Sequence, residues 1–317
     1  MKVLVFGGTG FLGRHVVEAA LATRHELTLF NRGLTNPELF PGVERIVGDR
    51  DGDLGELRGR GFDAVVDVPA RVPRHVRRST EALRSVGHYI FVSSISVYRD
   101  FSVRGIDESA PLQEYDPSMG DEDMETYGPR KAECERIVAE AFPGRSLIVR
   151  PGLIVGPHDP TDRFTYWPVR LARGGEILAP GPPERIVQFV DVRDLAAWIV
   201  GLAEERRTGV FNATSEGVSW GELLAGAEVT WVSDEFLVEQ GVGEWMELPL
   251  WIADPQWVGH HHTDVSRAVG AGLRVRPVAE TVRDTADWAA TRGAHEPEAG
   301  LAPDRERELL EAWRTRS

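Results

Sequence analysis

Apolar residues fall along the first half of the chain in short unbroken runs, each closed by glycine or polar residues and followed by apolar positions at helical spacing. Val3, Leu4, Val5 and Phe6 form the first run and lead directly into Gly7, Gly8, Gly10 and Gly13; residues 14–22 then carry Val16, Val17, Ala20 and Leu21 on one helical face. Residues 26–30, 43–47, 62–68, 88–92 and 146–149 predict five more strands. A modest helix is expected over 54–60, and a longer one over 73–86, opening with Pro73 where proline is tolerated. A fourth helix, over 131–141, is entered through Pro129. This strand and helix alternation predicts an α/β, doubly wound parallel sheet, Rossmann-like, whose ligands sit beyond the carboxyl ends of its strands.

The second half reads differently. Residues 188–200 predict a strand followed by a helix and residues 209–212 another strand; both are expected to return to the sheet, so that the two lobes interleave. Residues 220–255 read as helix and loop of a separate lobe, and the tail beyond Ala279 is helical, with Val282, Ala286, Ala289 and Ala290 on one face. All 9 tryptophans lie at or after Trp167, which marks a divide: they pack a smaller lobe or line a substrate cleft. The expected division is a dinucleotide domain over 1–165, with 185–215 returning to it, and a substrate lobe from 166–184 and 216–317. Residues 106–126 are acidic and turn-rich and are expected as a long exposed loop, either a lid or a solvated insertion.

Composition narrows the function classes. The chain has 317 residues, 42% hydrophobic and 27% charged, as a globular enzyme does. Lys and Arg total 36 against 50 Asp and Glu, a formal net charge of −14, which opposes tracking of a phosphate backbone; no nucleic-acid partner is expected. Cys134, the single cysteine, has no partner for an internal disulfide, and no apolar run reaches membrane-spanning length. With no signal peptide ahead of the first strand, a cytoplasmic location without a membrane partner is expected. Consecutive His260, His261 and His262 cannot all face one ion and read as a polar loop, so no metal is expected.

Candidate chemistry begins at the glycines. A strand, a glycine turn and a helix N-terminus expose backbone N–H groups and the positive end of the helix dipole, a site for a pyrophosphate. Gly7, Gly10 and Gly13 are spaced GxxGxxG, a weak signal alone. The second strand ends at Asn31-Arg32, where a dinucleotide fold often has an acid for the ribose 2′-OH; the arginine favours NADP over NAD, with NAD still open. Tyr127 and Lys131 are four apart and share a helix face, so that an ammonium beside the phenol favours its ionised form and fits it for proton exchange with a substrate hydroxyl or carbonyl. Ser94, at the end of the fifth strand, would hydrogen-bond the same oxygen.

Taken in order, GGTGFLG, VSSISVY, YGPRK, RPGLIVGP, QFVDVRDLA, GVFNATSEG and GLRVRPVAETVRDTADW run nearly end to end, and the chain resembles the short-chain dehydrogenase/reductases of the extended or atypical type, the NAD-dependent epimerase/dehydratase family. The resemblance implies Tyr127 as acid/base, Lys131 as its charged partner and ribose contact, and Ser94 as oxygen holder. It implies cofactor contacts at Gly7, Thr9, Gly10, Phe11, Leu12, Gly13, Asn31, Arg32, Asp49, Pro69, Lys131 and Pro151. Substrate contacts are expected from Ser96, His158, Arg163, Trp167 and Arg185, with Asp159 beside His158 as a further pocket candidate, and Arg163, Arg170, Arg173 and Arg185 fall where extended members clamp a nucleotide diphosphate. Ile95 and Ser96 stand where 4,6-dehydratases carry an acidic pair, which disfavours water elimination. The implied reaction is hydride transfer at a C–OH/C=O centre of a sugar-nucleotide or related small molecule, by a reductase or epimerase. A homodimer through residues 73–86 and 131–141 is also implied. The atypical subgroup includes RNA-binding members, so a non-catalytic nucleotide-sensing or RNA-binding protein is the alternative.

Overall fold

The computed structural model describes residues 1–120 and 125–316. Its centre is a 7-stranded sheet made of β1 (Lys2–Phe6), β2 (Glu26–Asn31), β3 (Glu44–Val47), β4 (Ala64–Asp67), β5 (His88–Val92) and β6 (Ser146–Pro151), closed at the β6 edge by Gly209–Ala213. The order is Gly209–Ala213, β6, β5, β4, β1, β2, β3, and every pairing is parallel. Parallel strands need crossovers, and α1 (Phe11–Ala22), α2 (Pro73–Ala82) and α3 (Tyr127–Ala141) supply them on both faces. The order reverses between β1 and β4, where a doubly wound sheet opens its ligand crevice. The glycine turn after β1 and the turns after β4 and β5 all meet there.

The remaining chain builds the second lobe and feeds back into the first. Beyond β6 come β7 (Leu153–Val155), α4 (Tyr166–Arg173), β8 (Ile177–Pro180), β9 (Ile186–Val187), β10 (Phe189–Asp191), α5 (Val192–Glu204) and β11, the edge strand Gly209–Ala213. Then follow β12 (Val218–Ser219), α6 (Trp220–Leu223), β13 (Val229–Val232), α7 (Asp234–Glu239), β14 (Glu244–Trp245), β15 (Leu248–Pro249), α8 (Ser266–Gly270), α9 (Val278–Ala290) and α10 (Pro303–Arg314). β11 joins the main sheet as expected, whereas β10 pairs only with β7, a three-residue strand that short apolar runs after Gly152 do not reveal. β13 pairs with β8 inside the stretch read as helix and loop. The helix expected over 54–60 shrinks to a 3-10 turn, Gly55–Leu57: Gly59 and Gly61 take left-handed φ of 73° and 58°, which ends helical continuation.

Hydrophobic burial explains the layers. Val16, Val17, Leu195 and Ile199 pack α1 and α5 on one sheet face; Val76, Ile137, Val138 and Phe142 pack α2 and α3 on the other. A third cluster around Trp167, Trp220 and Trp251 forms the core of the second lobe, so these tryptophans pack and do not line a cleft. Each such side chain contributes roughly 1.5–3 kcal/mol relative to exposure. Cys134 lies fully buried against the sheet, and burial pushes its thiol up to about 12. The acidic loop is more tied down than its composition suggests: Ile106 is buried and bridges to Thr263, and Leu112 bridges to Tyr98. Residues 121–124 of that loop lie outside the described residues. Among the described residues no helix is long and apolar enough to cross a membrane.

Glu306 of α10 joins three elements of the second lobe. Its carboxylate accepts from Arg170 Nε at 2.7 Å, Arg173 Nη2 at 2.8 Å and the Leu178 backbone N–H at 3.2 Å, with Glu306 and Arg170 both buried. Removing one member of a buried pair leaves the other charge uncompensated, at a cost of about 3–5 kcal/mol. Glu306→Ala is therefore expected to destabilise by that order, read as a lower urea midpoint, with nucleotide binding retained in native buffer.

Candidate functional site

The turn from β1 into α1 is built by the absence of side chains. Gly7 sits at φ 75°, and a Cβ there would meet Pro69 at 2.9 Å; a Cβ on Gly13 would lie 2.0 Å from the Gly7 carbonyl oxygen. Gly10 caps α1 with no side-chain hydrogen bond, so the first-turn N–H groups are left to face the crevice. Two clefts join at this turn. One of about 710 Å³ runs over the ends of β2 and β3 and is lined by Thr9, Asn31, Arg32, Asp49, Arg71 and neighbours. The other, about 790 Å³, is lined by Phe11, Leu12, Gly13, Ser94, Ser96 and Pro151. Gly7, Gly10, Pro69, Tyr127 and Lys131 line both. A dinucleotide fits this pair of clefts, its pyrophosphate at the glycine turn. The Asn31 Nδ2 is buried without a hydrogen-bond partner in the first cleft, while its Oδ1 accepts from the Gly33 N–H at 3.0 Å.

The second cleft is organised by a turn after β5. Ser94, in extended backbone, caps the 3-10 turn Ile95–Val97; its Oγ accepts from the Ser96 N–H at 3.1 Å and donates to Ser96 Oγ at 3.0 Å. Ser93 is buried beside it, with Oγ unpartnered. Tyr98 closes the turn: its hydroxyl donates to Asn212 Oδ1 at 2.6 Å and accepts from Arg150 Nη1 at 3.0 Å, and Arg150 is itself paired with buried Glu135 of α3 at 2.6 Å. Burial raises the Tyr98 phenol above its ordinary range, so it stays a neutral donor.

Helix α3 docks onto this turn through Gly128. A Cβ there would lie 2.3 Å from the Ser96 carbonyl oxygen, so only glycine lets Tyr127 and Lys131 come to the cleft that Ser94 and Ser96 line. Gln113, from the acidic loop, holds the same carbonyl through Nε2 at 2.8 Å and that of Tyr98 at 3.1 Å. Neither Gly128 nor Gln113 is among the sequence candidates; a glycine inside the first turn of a helix was the available signal. The buried Lys131 ammonium donates to the Ala70 and Val92 carbonyls at 2.7 and 2.5 Å, two of its three protons, and lies 4.4 Å from the Phe91 ring centroid.

The second lobe completes the cavity with Asp159, Arg163, Glu244, Trp245, Trp257 and His260. Of the expected substrate residues, Ser96, Asp159 and Arg163 line it and three lie elsewhere. His158 points away, its ring 5.9 Å from that of His15 and 5.4 Å from that of Trp288, and burial pulls its imidazole down to about 4. Trp167 is fully buried and donates Nε1–H to the Pro249 carbonyl at 3.0 Å. Arg185 is paired with Asp234 at 2.7 Å, and Arg170 and Arg173 with Glu306, so of the four arginines placed at a diphosphate clamp only Arg163 faces the cavity. His260 stands 4.9 Å from the Trp245 ring, and burial holds it neutral, down to about 3. Among the described residues no cluster of metal-binding side chains occurs.

Residues 74–213 match the sequence model of the NAD dependent epimerase/dehydratase family. A chloroplast stem-loop binding protein of 41 kDa from Arabidopsis thaliana is 27% identical over 240 residues, 68% of this chain and 59% of that protein, so the chain spans under two thirds of that relative. An epimerase family protein of Bos taurus is 26% identical over 247 residues, 69% of this chain and 76% of that protein. The crystal structure of a UDP-glucuronic acid 4-epimerase from Bacillus cereus in complex with NAD superposes with a TM-score of 0.64 at 17% identity, covering 92% of this chain and 99% of that chain, which shows the shared fold.

Gly128→Ala forces the N-terminus of α3 off the serine turn. A displacement of about 1 Å at a reacting centre can cost on the order of 10²-fold in rate. The variant is expected to lose that order of turnover on any substrate the native chain accepts, while cofactor affinity, measured by nicotinamide fluorescence, changes by less than about threefold.

Proposed function

From the match of residues 74–213 to the NAD dependent epimerase/dehydratase family, we propose that the chain is a member of that family and an oxidoreductase or epimerase acting on a C–OH/C=O centre. The observation that carries the reading is one cavity lined both by the glycine turn and by Ser94, Tyr127 and Lys131. When bound, the nicotinamide supplies the hydride acceptor or donor. Tyr127 gives a proton to the substrate oxygen during reduction, or takes one during oxidation, and Ser94 donates a hydrogen bond to that oxygen. Lys131, anchored by the Ala70 and Val92 carbonyls, keeps one proton for a ribose hydroxyl and places positive charge on the Tyr127 side of the cleft. For Ser94 to donate, its proton turns from Ser96 Oγ to the substrate oxygen, and the Ser96 hydroxyl donates to Ser94 Oγ in its place.

The same family reading supports NAD(P) as cofactor, and the cleft beyond β2 favours NADP. Arg32 and Arg71 line it with no ion pair among the described residues, and the unpartnered Asn31 Nδ2 adds a donor for a 2′-phosphate. Proximity to sugar-nucleotide 4-epimerases of the same fold supports a sugar-nucleotide or related small molecule as substrate. A homodimer through α2 and α3, which pack side by side, is part of the proposal, and light scattering tests it. The rival, a non-catalytic RNA-binding protein, draws on the stem-loop binding relative; the net charge of −14 weighs against it.

Tyr127→Phe is expected to lower turnover by at least 10²-fold with cofactor still bound; unchanged turnover would refute the proton-transfer role. Arg32→Ala should weaken NADPH by at least tenfold and NADH by less than threefold, since a charge-assisted phosphate contact contributes about 1.5–3 kcal/mol. Equal losses for the two cofactors would remove the NADP preference. RNA affinity with a steep salt slope and no nucleotide turnover would favour the rival reading.

A further inference from the structure

The loop from β7 to α4 is pinned from outside and turns two charges inward. His158, in left-handed backbone at φ 74°, packs on His15 and Trp288, with Nδ1 3.1 Å from Arg14 Nη1. Asp162, at φ 55°, is buried and paired with Arg292 and His295. Held between these anchors, Asp159 and Arg163 line the cavity. Asp159 is 1% exposed: Oδ1 accepts from the Thr161 N–H at 2.9 Å and hydroxyl at 2.8 Å, while Oδ2 is buried with no hydrogen-bond partner among the described residues.

Arg163 stands apart from the other arginines of this lobe. Arg170 and Arg173 are neutralised by Glu306, Arg185 by Asp234 and Arg292 by Asp162. Half-buried Arg163 donates Nε–H to Thr161 Oγ1 at 3.2 Å and lies 5.5 Å from the Trp245 ring centroid, with no carboxylate in ion-pair range among the described residues. Arg163 and Tyr127 line the same cavity, and burial pulls the guanidinium below the ordinary arginine range. A half-buried guanidinium without a counter-ion is unfavourable until an anion completes it, and its planar fork suits a carboxylate or phosphate. The same cavity of about 790 Å³ is lined by the glycine and serine turns, so an anion held at Arg163 shares it with Ser94 and Tyr127.

We propose that the substrate is a small hydroxylated anion, a carboxylate or a monophosphate ester, whose oxyanion pairs with Arg163 and whose neighbouring hydroxyl donates to Asp159 Oδ2. This assignment rests on the hydride-transfer reading of the same cavity. It is tested by calorimetric titration of the NADPH-loaded chain with glucuronate, glucose 6-phosphate, glucose, UDP and cyclohexanecarboxylate. At least one anionic sugar is expected to bind tenfold or more tightly than glucose and than UDP, and which one binds distinguishes carboxylate from phosphate.

Arg163→Gln should weaken that binding at least tenfold, and Arg163→Lys, which keeps the charge, should recover at least threefold of it. Native preference for the bound anionic sugar over cyclohexanecarboxylate should vanish in Asp159→Leu. Tighter binding of UDP, failure of both anionic sugars to bind, or equal affinities in the native and Arg163→Gln chains would overturn the assignment. Failure of the hydride reading appears separately, as Tyr127→Phe that still turns over while the anion binds as before.

Discussion

Everything at the site depends on two backbone contacts too close for a side chain. At one, α1 approaches β1 so that Gly13 faces the Gly7 carbonyl; at the other, α3 approaches the turn after β5 so that Gly128 faces the Ser96 carbonyl. The first contact aims the N-terminus of α1 into the crevice where the strand order reverses. The second brings the Tyr127 and Lys131 face of α3 to the same crevice. Because both contacts are set by backbone, their geometry is not adjustable by rotamer changes, and the two halves of the site share one rigid frame.

That frame is held by a buried polar network, not by apolar packing alone. Tyr98 joins the serine turn to Asn212 of β11 and Arg150 of β6, and Arg150 reaches Glu135 on α3. Asn212 also donates to the Ile106 and Asp264 carbonyls at 3.2 and 3.0 Å, which ties the acidic loop and the segment before α8 to the sheet edge. Buried polar groups are tolerated when each is satisfied, and a satisfied network fixes one geometry. The edge strand β11, contributed from far along the chain, therefore does more than extend the sheet: it locks the serine turn.

What could be read from the chain was local. The glycine turn, the serine cluster and Tyr127 with Lys131 are each short segments whose residues meet through strand or helix periodicity, and they come together because a doubly wound sheet brings its strand ends to one edge. The second-lobe side resisted reading because its geometry is set by distant partners. His158 and Asp159 are adjacent in sequence, and only the left-handed backbone at His158 decides that Asp159 lines the cavity while the His158 ring packs outside it. Arg170 and Arg185 resemble phosphate ligands until Glu306 and Asp234, remote in sequence, are seen to hold them. Trp167 belongs to the core, whereas Trp245 and Trp257 reach the cavity, a division that composition cannot make.

Charge gives the last step. With 50 acidic against 36 basic side chains, the surface field repels anionic ligands at long range, and salt screens that repulsion beyond roughly 10 Å. Most internal arginines are matched to carboxylates, as Arg50 is to Asp67 and Arg276 to Asp194, and so lend nothing to a ligand. The cleft cations without a carboxylate partner among the described residues, Arg32 and Arg71 beyond β2 and Arg163 and Lys131 in the other cleft, thus stand out against a negative background. Close to these side chains, where protein replaces part of the water, their attraction exceeds the outer field, which is weak and screened. The balance selects ligands by where their negative charge sits, and disfavours polyanions whose charge would remain outside.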